Sequence, residues 1–141
     1  MKNLKDLFHV ISYLQYPMML VGVYFALTPY FNGFQTIFSS INSMLLFMGI
    51  GVSFSTLQDT QKTQNDVSKR IWENPTKGKV FLIFMGLFTI LLLVGGLIGF
   101  FLAESSVLNE LSLGLIVMGI GFLGLLKAAA EMFENHRLDK K

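Results

Sequence analysis

Residues 80–102 read VFLIFMGLFTILLLVGGLIGFFL, an uninterrupted apolar run whose one polar side chain is Thr89. A helix rises about 1.5 Å per residue, so about 20 such residues cross a hydrocarbon core roughly 30 Å thick. The run is continuously apolar where a barrel strand would alternate, so it reads as a transmembrane helix. Three further stretches, 7–30, 36–57 and 108–130, have the same character, and none carries an acidic or basic residue at its centre. The chain is therefore expected to be an all-α membrane protein with four transmembrane helices in a single domain spanning residues 1–141. A loop at 58–79 and a tail at 131–141 would lie outside the lipid.

Composition agrees. Hydrophobic residues make up 52% of the chain and charged residues 14%, against roughly a quarter charged in a soluble domain. A net charge of +2 argues against nucleic acid as a partner. Without cysteine there are no disulfides, thiolate metal sites or thiol nucleophiles.

The basic residues set the expected orientation. Lys2 and Lys5 precede the first span, Lys62, Lys69, Arg70, Lys77 and Lys79 lie between the second and third, and Lys127, Arg137, Lys140 and Lys141 end the chain; these are all 11 Lys and Arg. The positive-inside rule makes that side cytoplasmic and puts both termini there, in a multi-pass protein of the cell membrane. So one-sided a distribution argues against insertion in both directions. The first span is not read as a signal peptide: it is long, contains Pro17, lacks a small-x-small cleavage site and is followed by three more spans.

Local signals place the boundaries. Asn32-Gly33 predicts a tight outer turn, and Asn74-Pro75 a capping Asn before a first-turn Pro. Residues 58–73 contain neither Gly nor Pro, so they are expected to continue the second span as a cytosolic helix. Trp72, beside Lys69 and Arg70, reads as an interfacial anchor at the lipid headgroups, the alternative being a docking edge with Val67 and Ile71. Pro17 should kink the first helix near Tyr13, as a hinge or a fixed bend. His9, near the cytoplasmic boundary, is expected simply to be solvated.

Met-Gly-Ile-Gly occurs at 48–51 and again at 118–121. That offset superposes the first two spans on the last two in the same orientation, as two tandem helical hairpins in a parallel repeat would require.

Helical spacing collects small and polar residues into three seams. Gly95, Gly96, Gly99 and Ala103 in the third span, and Gly114, Gly121, Gly124 and Ala128 in the fourth, read as helix-packing positions where backbones approach closely. The second span instead aligns Ser39, Asn42, Gly49, Ser53 and Thr56, and the first contributes Ser12 and Gln15 on a similar face. A polar face in a membrane helix must be buried in protein or line a water-filled path. Two interpretations stand: copies of the second span line a pore for a small ion or polar solute, or the hydroxyls bond their own backbone and Asn42 bonds across to another helix.

Catalysis needs positioned acids, bases or nucleophiles, and here the candidates are scattered toward the two membrane surfaces, so no enzyme is expected. No cofactor is expected either: two histidines without a carboxylate cluster make a poor metal site, and no phosphate loop is present. In outline the chain looks like the small multidrug-resistance transporters, but the glutamate they carry inside the first span is missing. The four-span fluoride channels are similar in size alone. The leading function is a channel-like homo-oligomer; the alternative is a non-conducting scaffold or accessory subunit of another membrane protein. Both involve membrane lipid and a homo-oligomer or partner membrane protein.

Overall fold

The computed structural model describes residues 2–61, 66–104 and 107–140. It is all-helical, with 89% helix and no strand among the described residues. The helices are α1 (Lys2–Ser12), α2 (Gln15–Asn32), α3 (Ile37–Ser55), α4 (Asp66–Glu73), α5 (Pro75–Phe101) and α6 (Val107–His136). Four stretches are long and apolar enough to cross a membrane: Asp6–Asn32, Phe34–Ser55, Pro75–Phe101 and Val107–His136.

The first of these is broken. Pro17 has no N–H to donate and its ring crowds the carbonyl four residues back, on Tyr13. The chain answers with a tight turn, in which the amides of Tyr13, Leu14 and Tyr16 each reach three residues back, to Val10, Ile11 and Tyr13, at 3.0–3.1 Å. The expected kink near Tyr13 is thus a full break between α1 and α2.

Gly33 makes the next turn with φ 85°, a conformation that suits a residue without Cβ. At the head of α5, Asn74 Oδ1 accepts from the amides of Thr76 (3.0 Å) and Lys77 (3.1 Å), with Pro75 in the first turn. Both local signals therefore act where the sequence places them.

The segment after the second span departs from expectation. It does not continue α3, which ends at Ser55, followed by turns in which the amides of Thr56, Leu57 and Gln58 each reach back three residues. Hydroxyls of Ser53, Ser55 and Thr56 accompany that end by donating to the carbonyls of Gly49, Val52 and Ser53 at 2.6–2.9 Å. Side chains that bond nearby carbonyls compete with a regular helix. α4 is a separate helix lying against α5 and α6. α6 continues to His136, so the first part of the expected tail is helical.

The spans pack in the order α2, α3, α6, α5. Within each hairpin the helices are antiparallel: Gly22 meets Met48 and Gly51 meets Met19, while Gly96 meets Ile116 and Gly86 meets Leu126. The hairpins join through α3 and α6, which run parallel, with Asn42 beside Gly114, Gly49 beside Met118 and Thr56 beside Gly124. The two copies of Met-Gly-Ile-Gly thus lie against one another at the centre of the bundle.

Only 17–22% of the most apolar window of each span is buried. Large side chains such as Leu20, Tyr24, Ile83 and Leu91 face outward, as in helices that are apolar all round and solvated by lipid.

Candidate functional site

Asn42 lies on the α3 face that meets α6. Its Oδ1 accepts the Gly114 N–H at 2.7 Å, a side-chain hydrogen bond that joins the two helices. A Cβ at residue 114 would stand 2.6 Å from the Asn42 carbonyl oxygen, so only glycine allows this approach without displacement. Two turns further along, a Cβ at Gly49 would meet the Met118 backbone at 2.7 Å, and one at Gly121 would meet the Gly49 oxygen at 2.5 Å.

The remaining polar residues of the second-span stripe divide between the seam and the surface. Thr56 meets Gly124 through its methyl group and donates its hydroxyl to Ser53 O at 2.7 Å. Ser53 donates to Gly49 O at 2.9 Å and stays exposed, as does Ser39. In the first span Ser12 is fully buried and donates to His9 O at 2.7 Å, while Gln15 is buried without a side-chain hydrogen bond among the described residues.

The small residues of α5 and α6 do not share one role. Gly96 and Gly99 face α6, against Ile116 and Leu108, whereas a Cβ at Gly95 would meet nothing within 4 Å. Ala103 lies just past the end of α5, and Ala128 lines a cleft near α4.

Trp72 has a different setting from the headgroup anchor expected for it. It is buried with Met85, Ala129 and Phe133, its ring edge-to-face with Phe81 at 5.5 Å. Its Nε1 donates to Ser68 Oγ at 2.8 Å, so its polar atom is satisfied within α4. A charged helix with only Val67, Ile71 and Trp72 as apolar residues draws attention to its exposed face; only its return onto α5 and α6 buries the indole.

Some contributors escape the small-residue pattern. Ser40 is buried one position away from the stripe, and Ser112 is buried while donating to Asn109 O at 2.7 Å. Asn109 Nδ2 donates to Gly99 O at 3.1 Å and ties the start of α6 to the end of α5. A polar residue beside a predicted span end was the available signal for Asn109.

Two clefts open at the end of the bundle where the N-terminal helix, residues 56–61 and the end of α6 converge. One, of about 280 Å³, lies among Gln15, Asp59, Ser68, Trp72, Leu125 and Met132. The other, of about 560 Å³, is bordered by Asp6, His9, Asp59, Glu131 and Asn135.

Searches of family models, curated proteins and solved structures find no match to this chain.

Proposed function

We propose that this chain is a non-conducting, non-enzymatic transmembrane scaffold or accessory subunit of another membrane protein. It sits in the cell membrane, surrounded by lipid, with both termini in the cytoplasm. The bond from Gly114 N–H to Asn42 Oδ1 carries this proposal. The most strongly polar side chain of the second span is used to join the chain's own hairpins, and the neighbouring hydroxyls of Ser53 and Thr56 donate to α3 carbonyls. A bundle with its polar groups so occupied presents a largely apolar flank to lipid or to another membrane helix. The one-sided distribution of Lys and Arg supports the assigned orientation.

A second reading, an oligomeric pore along the second span, draws on the exposure of Ser39 and Ser53. Their hydroxyl oxygens keep free acceptor capacity, and a ring of copies would bring them together.

Cross-linking in native membranes combined with ion flux in liposomes separates the two. The accessory role predicts capture of a specific second membrane protein and no flux from the purified chain. Capture of copies of this chain alone, together with a conductance altered by Ser39→Leu or Ser53→Leu, would replace it with the pore.

A further inference from the structure

We infer that the groove between α4 and the head of α5 binds an anionic phospholipid of the surrounding bilayer, with the phosphate at Lys77 and an acyl chain along Val80, Phe81 and Phe84. The groove encloses about 400 Å³ and is lined by these four residues together with Ile71 and Thr76.

The lining follows the order of groups in a phospholipid. Thr76 and Lys77 lie in the first turn of α5, Val80 and Phe81 one turn further, and Phe84 one turn beyond them. The helix is long and apolar enough to cross a membrane, so the polar end of the groove stands at the lipid surface and the aromatic end runs toward the hydrocarbon. Val80, Phe81 and Phe84 are exposed on the outside of the bundle, where acyl chains reach them.

Charge selects the headgroup. Lys69 lies 3.9 Å from Glu73, Lys127 3.6 Å from Glu131 and Arg137 3.1 Å from Glu134. Arg70, Lys77 and Lys79 are exposed at the junction of α4 and α5 and carry no ion pair among the described residues. All 9 Asp and Glu of the chain are described, and none of them lines the groove. The Lys77 ammonium therefore has three N–H donors to offer an anion, with the Thr76 hydroxyl beside it. Phosphate oxygens accept such charge-assisted bonds. A net negative lipid gains from Arg70 and Lys79 as well, whereas the choline of a zwitterionic lipid is repelled by them.

Packing holds the groove in shape before any lipid arrives. Asn74 Oδ1 accepts from the amides of Thr76 and Lys77, which fixes the backbone of the two polar lining residues and leaves the headgroup to be met by their side chains. On the apolar wall, Phe81 is backed edge-to-face by Trp72 at 5.5 Å, and Ile71 packs against the buried cluster around Trp72. A preformed apolar wall with a polar group at one end orients its ligand.

Trp72 is the sole tryptophan of the chain and stands against Phe81 in the groove wall, so its emission reports on an occupant. The full chain is reconstituted in vesicles of brominated phosphatidylcholine, whose bromines quench a nearby indole, and unbrominated phosphatidylglycerol or phosphatidylcholine is added in increasing proportion. Recovery of emission should favour phosphatidylglycerol about five-fold over phosphatidylcholine. Lys77→Gln alters an exposed side chain and keeps the backbone amide that Asn74 caps, and it should bring the two lipids to within about two-fold of each other. Lys127→Gln removes an exposed ammonium that does not line the groove and should leave the preference in place. The site is refuted if the brominated lipid does not quench Trp72, if the two lipids compete equally with the unaltered chain, or if Lys77→Gln keeps the full preference. Equal losses in Lys77→Gln and Lys127→Gln would also overturn it, by showing a diffuse attraction to the whole surface. Because the readout is lipid competition, its failure leaves the accessory role standing, and failure of that role leaves the groove standing.

Discussion

Asn42 on α3 and Gly114 on α6 are 72 residues apart in sequence and joined by a 2.7 Å hydrogen bond. Each needs the other's chemistry: the amide supplies the acceptor, and the absence of a Cβ lets it reach the backbone of the neighbouring helix. Interhelical polar contacts in lipid are worth about 1 kcal/mol, because the separated helices find other partners. Asn42→Ala should therefore lower the stability of the bundle by about that amount in reversible detergent unfolding.

Gly49 and Gly95 predict opposite responses to the same substitution. Alanine at Gly49 sets a Cβ against the Met118 backbone, which has no rotamer to change, so α3 and α6 must separate. A loss of about 1–3 kcal/mol is expected, as for overpacked cores. Alanine at Gly95 meets open space and should change stability by less than about 1 kcal/mol. Thermal unfolding of the two variants in one detergent measures the difference.

Phe133 is 4% exposed and packs in the cluster that contains Trp72, and its ring lies directly over Gly78. Truncation to alanine removes the side chain that holds α6 against the start of α5 and the underside of α4. A destabilisation of about 3–5 kcal/mol is expected, with the emission of Trp72 shifted to longer wavelength as water reaches the indole. An unshifted spectrum would show that α4 is held down by other contacts.

Asn74 satisfies two amides of the first turn of α5. Asn74→Ala should cost about 1 kcal/mol. Hydrogen exchange should quicken at Thr76 and Lys77 and stay unchanged in the middle of α5.

Asn74, Gly33 and Pro17 were legible because each acts on atoms within four residues of itself. A side-chain oxygen reaching two amides, a positive φ and a missing N–H are local events, and the neighbouring chain suffices to produce them. The end of α3 was harder to read. Residues 58–61 carry no Gly or Pro, yet the helix stops at Ser55 beside three hydroxyls that bond their own carbonyls. Hydroxyl-rich helix ends are a weaker signal than proline. The charged neighbours of Trp72 point to an exposed position, whereas its burial depends on α5 and α6, which follow it in the chain.

The four long apolar helices were determined by the sequence alone, because the length and continuity of an apolar run decide whether lipid can solvate it. The tertiary structure decided which faces meet: α3 turns Asn42 toward Gly114, Gly95 is left facing outward, and Gln15 is brought beneath α4 with Asp59. In water an amphipathic stripe announces the buried side of a helix, but in lipid the outside is as apolar as the inside. Partners are then chosen by close backbone approach and single polar contacts, which exist only once two helices stand side by side.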